Sequence, residues 1–109
     1  MKSPFINSLF CAFRDEKYLY FVMDYAVGGD TYSLICDGSN RVEEFKAAGE
    51  PAVRFILGCL ILGMEVLHSN NILYRDLKPE NIMIADDGYL KLIDYGFAKV
   101  VKKRTYTIC

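Results

Sequence analysis

The stretch from His68 to Gly96, HSNNILYRDLKPENIMIADDGYLKLIDYG, constrains this chain more than any other. Two aspartates anchor it, Asp76 in Y-R-D-L-K-P-E-N and Asp94 in D-Y-G. Between them the sequence predicts a tight hairpin: the apolar Ile82, Met83 and Ile84, the turn Asp86-Asp87-Gly88, then the run Leu90 to Ile93. A hairpin this short folds back on itself, so Asp76, Asn81 and Asp94 are expected to converge on one place. One base-like carboxylate with an Asn/Asp pair of hard oxygen ligands suits Mg²⁺-assisted phosphoryl transfer.

These residues resemble the catalytic loop and metal-binding loop of eukaryotic protein kinases, whose pattern is H-R-D-L-x-x-x-N followed by D-F-G. Here it reads Tyr74-Arg75-Asp76-Leu77-Lys78-Pro79-Glu80-Asn81, then Asp94-Tyr95-Gly96. Tyr replaces the first His and the Phe. Together with V-M-D-Y-A-V-G-G-D upstream and G-F-A-K…R-T-Y-T-I-C downstream, the loop is most similar to the AGC group of serine/threonine kinases. Within that group the cyclic-AMP-dependent catalytic subunits are nearest, and the cyclic-GMP-dependent kinases a close second.

The resemblance implies an α+β, partial protein-kinase-like fold across residues 1–109. Residues 1–23 would be small-lobe strands, 24–30 the hinge, and 31–109 part of the large lobe. It implies ATP and Mg²⁺ as cofactors. Asp76 would accept the substrate hydroxyl proton, and Lys78 would neutralise the transferring phosphate. Asn81 and Asp94 would hold metal. Met23, Asp24, Ala26, Asp30 and Met83 would bind the nucleotide, with Met23 at the back of the pocket and Met83 under the adenine. Leu9, Tyr74 and Tyr95 resemble members of a hydrophobic stack between lobes. Asp30 and Glu80 would receive arginines of basic substrates. Thr107 would carry an activating phosphate, bound by Arg75 and Lys99. A cyclic-nucleotide-binding regulatory subunit is a further implied partner.

Parts of the family pattern are absent from these 109 residues: G-x-G-x-x-G, the V-A-I-K lysine and the closing A-P-E. Glu50-Pro51-Ala52 precedes the catalytic loop and is not that motif. The expectation is therefore a serine/threonine kinase whose excerpt alone is inactive. The competing expectation is a non-catalytic remnant that acts by binding a kinase regulator.

The remaining chain is read from its residues. Tyr18 to Met23 predicts a strand paired with one ending near Phe13. Asp30 predicts the N-cap of a short helix running to Ile35. Residues 36–49 read as a polar surface insertion. From Pro51 to Ser69, Val53, Phe55, Ile56, Leu60, Met64 and Leu67 recur at helical spacing, with Leu57, Ile61 and Leu62 filling the gaps, which predicts deep burial all round. The apolar run Phe55 to Met64 is shorter than the ~20 residues of a membrane span. The net charge of −1 gives no reason to expect nucleic acid or a membrane as partner. Four cysteines without C-x-x-C spacing and a single histidine fit reduced thiols in a cytoplasmic protein.

Overall fold

The structure, a computed structural model, describes residues 3–36, 40–94 and 96–101. Its centre is the predicted hairpin. Strand β4 (Ile82–Ile84) runs antiparallel to β5 (Leu90–Leu92), with Ile82 opposite Leu92 and Ile84 opposite Leu90. Gly88 turns the chain at φ 86°, a conformation glycine adopts without steric cost. Asp87 Oδ1 accepts the Tyr89 N–H at 3.0 Å.

Both edges of the hairpin are occupied, which removes open strand edges. On one edge, Asn7 N–H donates to the Leu92 carbonyl at 3.1 Å and Leu92 N–H to the Phe5 carbonyl at 2.9 Å. On the other, Gly28 N–H donates to the Ile84 carbonyl and Ile84 N–H to the Gly29 carbonyl, each at 2.8 Å. Asp30 bridges Met83 just beyond.

Helix α3 (Glu50–Ser69) lies across this layer, with Pro51 in its first turn. Its buried residues Cys59, Gly63 and Leu67 recur every four positions and form one stripe. At Gly63 an added Cβ would stand 3.2 Å from Leu92 Cδ1 and 3.3 Å from the Phe5 carbonyl oxygen, so the hairpin approaches the helix backbone closely there. Leu67 joins Ile6, Cys59, Tyr74, Ile82, Leu90 and Leu92 in the core. Burying a leucine side chain fully is worth about 2 kcal/mol.

The expectation of all-round burial for α3 is not met. Val53, Phe55, Leu57 and Leu62 are exposed, and Ile61 is 66% exposed. Among the described residues α3 packs chiefly on β5, on the short strand β3 (Ile72–Leu73) and on α2 (Asn40–Ala48). At 20 residues α3 is also long and apolar enough, by length and composition alone, to cross a membrane. The ten-residue run read from the sequence understated that length.

Strands β1 (Leu9–Arg14) and β2 (Leu19–Met23) form a second antiparallel pair whose side chains are all exposed. Phe13 and Tyr20 stack across it at 4.9 Å. Asp15 closes its turn, with Oδ1 accepting the Lys17 and Tyr18 N–H groups at 2.7 Å and Oδ2 accepting the Tyr20 hydroxyl at 2.8 Å. The Tyr20 bond foremost, then the two backbone bonds, hold the Asp15 carboxyl below its usual range; the bond to Asp15 pushes the Tyr20 phenol up.

Helix α1 (Thr31–Cys36) begins where the sequence placed its cap: Asp30 Oδ1 accepts the Ser33 N–H at 2.8 Å and the Ser33 hydroxyl at 2.7 Å. The region read as a polar loop instead contains α2, residues 40–48. Val42 is buried and Phe45, three residues on, is half-buried, so a single apolar edge is enough to seat this otherwise polar helix. Residues 37–39 lie outside the described residues.

Candidate active site

Two left-handed residues shape the site. Arg75 has φ 64° and Asp94 has φ 58°, a region that non-glycine residues rarely enter. Side chains flanking those positions hold the turns. The buried Tyr74 donates its hydroxyl hydrogen bond to the Ile93 carbonyl. Arg75 Nε donates to the Phe97 carbonyl at 2.7 Å. The loop 74–81 is thus tied at two points to the segment around Asp94.

A single 3₁₀ turn (Pro79–Asn81) brings Asn81 back over the loop. The buried Thr31 of α1 donates to the Pro79 carbonyl at 2.7 Å and pins that turn. Ile93 N–H donates to the Asn81 carbonyl at 3.0 Å, which sets Asn81 against the residue preceding Asp94.

Asn81 Nδ2 donates to the Asp76 carbonyl at 3.1 Å and to Asp76 Oδ2 at 2.9 Å. Lys78 Nζ stands 3.5 Å from the same Oδ2. The Asp76 carboxylate is therefore held by an amide and a cation while its side chain remains 19% exposed. With its amide nitrogen committed, Asn81 has Oδ1 left as a hard oxygen ligand. Asp94 is exposed, and its Oδ1 accepts the Gly96 N–H at 3.2 Å. No group of three or more His, Cys, Asp or Glu side chains comes together among the described residues. The oxygen set suits Mg²⁺, which is commonly held by one or two carboxylates with substrate phosphates and water completing the shell.

Beside this cluster opens a cavity of about 640 Å³. Met23 and the segment Asp24, Tyr25 and Ala26 that follows it line one part of the cavity; Met83, Ile93 and Asp94 line another. Lys91 Nζ lies 3.5 Å from Asp24 Oδ2 and ties β5 to the hinge. The cavity is mainly apolar, with Asp94 among the residues that line it.

The protein kinase domain pattern matches residues 1–109. This chain belongs to the protein kinase family. It is 40% identical over 110 residues to cGMP-dependent protein kinase, isozyme 1 of Drosophila melanogaster, covering 99% of this chain and 13% of that protein. It is 42% identical over 109 residues to a cAMP-dependent protein kinase catalytic subunit of Dictyostelium discoideum, covering 97% and 15%. A cAMP-dependent protein kinase, catalytic subunit-like protein of Caenorhabditis elegans is 36% identical over 109 residues, covering 100% and 26%. The kinase chain described here thus spans about a quarter or less of the length of these relatives.

The structure brings Asp76, Lys78 and Asn81 into direct contact and sets Asp94 beside them through Ile93. Met23, Asp24, Ala26 and Met83 share the kinase cavity. Asp30 is not among the residues lining that cavity, and its Oδ1 is engaged in capping α1. Glu80 is exposed in the 3₁₀ turn. Lys99 is exposed in β6 (Lys99–Val100), paired with Leu73. Leu9 is largely exposed and Tyr74 is buried. Tyr95, Thr105 and Thr107 lie outside the described residues. Three residues near the site carried no sequence signal: Asn7 in the cavity wall, Lys91 at the hinge, and Arg41, whose Nη2 donates to the Gly28 carbonyl at 2.7 Å.

Proposed function

We propose that the protein containing this chain transfers the γ-phosphoryl group of ATP to serine or threonine hydroxyls of protein substrates. The observation that supports it best is the Asp76 carboxylate, fixed by Asn81 and Lys78 beside a cavity lined by Met23, Asp24 and Ala26. In this reading Asp76 accepts the hydroxyl proton as the oxygen attacks, and Lys78 balances charge on the transferring group. Bound Mg²⁺ supplies charge neutralisation on the phosphates, and Asn81 and Asp94 are the residues that hold it. Met23 and Met83 sandwich the base while backbone groups at Asp24 and Ala26 orient its edge. Glu80 and Asp30 present acidic groups toward basic substrates. Likeness to cyclic-nucleotide-dependent enzymes supports regulation by a cyclic-nucleotide-binding domain or subunit, and the spacing of the four cysteines supports reduced thiols in a cytoplasmic setting.

The test is Asp76→Asn in the full-length protein. Phosphorylation of a basic serine peptide should fall by at least about a hundredfold, the usual worth of a positioned general base, with ATP affinity retained. Undiminished turnover removes Asp76 from the proposed role.

A further inference from the structure

Asn7 sits in the segment that pairs with β5. Ile6 beside it faces the core and is 4% exposed. Asn7 itself is 8% exposed, and its Oδ1 is shielded from solvent with no hydrogen-bond partner among the described residues. Buried amide oxygens in that condition are uncommon and call for a cause.

Asn7 also lines two cavities. One is the hinge cavity already described. The other, about 830 Å³, lies behind it and is walled by Leu67, Ile72, Ala98 and Val100. Asn7, Ser8, Leu9 and Asp24 are common to both and form the partition. Among the described residues, Asn7 carries the only carboxamide in either wall, set amid Met23, Met83, Ile93 and Leu9 in the first of the two cavities.

Asn7 engages no described residue through either end of its amide. A polar group of this kind in an apolar wall discriminates strongly among ligands, because a ligand that fails to pair with it leaves it desolvated. Oδ1 is the shielded end of the amide, which leaves Nδ2 as the end available to a ligand in the cavity.

We propose that Asn7 is a specificity-determining residue of the nucleotide cavity, its Nδ2 donating a hydrogen bond to a ring-nitrogen acceptor on the base edge turned away from the hinge. In a purine whose amino edge meets Asp24 and Ala26, that acceptor is N7. The inference rests on the nucleotide-binding reading above and adds to it a side-chain contact made by the wall, alongside the backbone contacts of the hinge.

The experiment is a double-mutant cycle on the full-length protein, with adenosine and 7-deazaadenosine as probes and wild type against Asn7→Val. Affinities come from calorimetry. The wild type should favour adenosine by about tenfold, the usual worth of one hydrogen bond whose donor is otherwise left unpaired, and Asn7→Val should bind both alike. Equal preference in both proteins overturns the proposal. A third probe, purine riboside, lacks the exocyclic amine. If its loss of affinity, and not that of 7-deazaadenosine, disappears in Asn7→Val, the amide presents its oxygen and the donor assignment is wrong. Should Asn7→Val fail to fold, the side-chain ¹⁵NH₂ resonance of Asn7 in the wild type decides: it should shift with adenosine and stay unmoved with 7-deazaadenosine. Failure of the wild type to bind adenosine at all refutes the nucleotide reading itself, a result distinct from equal binding of the two nucleosides.

Discussion

Gly28→Ala tests how the hinge is held. A Cβ at Gly28 would lie 2.6 Å from Ile84 Cβ, 2.7 Å from its Cγ2 and 2.8 Å from its carbonyl oxygen. Carbon atoms at rest sit ~3.5 Å apart or more, so the added methyl is short by about 1 Å against a strand rather than a loose side chain. The chain relieves this only by lifting the hinge off β4. That move breaks the two 2.8 Å bonds between Gly28, Gly29 and Ile84. Each contributes about 1 kcal/mol, and residual overpacking adds about 1 to 3 kcal/mol, so the expected loss is about 3 to 5 kcal/mol. Urea unfolding of the full-length protein measures it, and amide exchange at Gly28 and Ile84 locates it. Gly58→Ala is the control: nothing lies within 4 Å of its Cβ, and the helical interior of α3 should gain up to about 1 kcal/mol. Wild-type stability in Gly28→Ala, with both amides still protected, would show that hinge and β4 are not coupled as described.

The Asp15 turn gives a pH dependence. A carboxylate held below its usual range adds stability above that range and loses it as pH falls through the folded value; the raised Tyr20 phenol loses its share as pH climbs through its own folded value. Asp15→Asn should therefore flatten the acid limb of the exchange rates at Lys17 and Tyr18, measured by NMR, and an unchanged acid limb refutes the capping role. Thr107→Ala should lower the activity of the full-length protein if phosphate on Thr107 engages Arg75 and Lys99; phosphosite mapping to Thr105 alone, or full activity in the variant, refutes it. The 109-residue chain alone should show no phosphoryl transfer and should bind a hydrophobic dye through the exposed Leu57, Ile61 and Leu62; transfer dependent on Asp94 contradicts that.

The hairpin and the catalytic loop were legible because their signals are local. Asp87-Gly88 specifies the turn, the apolar Ile82–Ile84 and the alternating Leu90-Lys91-Leu92 specify the strands, and the spacing from Asp76 to Asn81 fits a single 3₁₀ turn. Helix α2 was not legible, because its seat depends on Val42 and Phe45 meeting a surface built by other segments, while its sequence is mostly polar. The burial of α3 was overestimated for a related reason. An all-round apolar pattern states what a helix can bury, whereas the observed burial depends on which elements reach it. Asn7 gave no signal because it is buried by pairing with Leu92, a residue at the far end of the chain.

The occupied edges of the β4–β5 hairpin also limit how the β1–β2 pair can move. The chain enters that pair from Asn7, bonded to Leu92, and returns from it at Gly28, bonded to Ile84. Between those anchors Asp24 N–H donates to the Ser8 carbonyl at 3.2 Å, joining the two connections. The pair is therefore anchored at both of its connections, and Lys91, 3.5 Å from Asp24 Oδ2, adds a third tie to the hairpin. Phe21 and Met23 of that pair face the cavity that Met83 and Ile93 line from the hairpin. The cavity wall they form is therefore held by bonds separate from those that fix Asp76, Lys78 and Asn81.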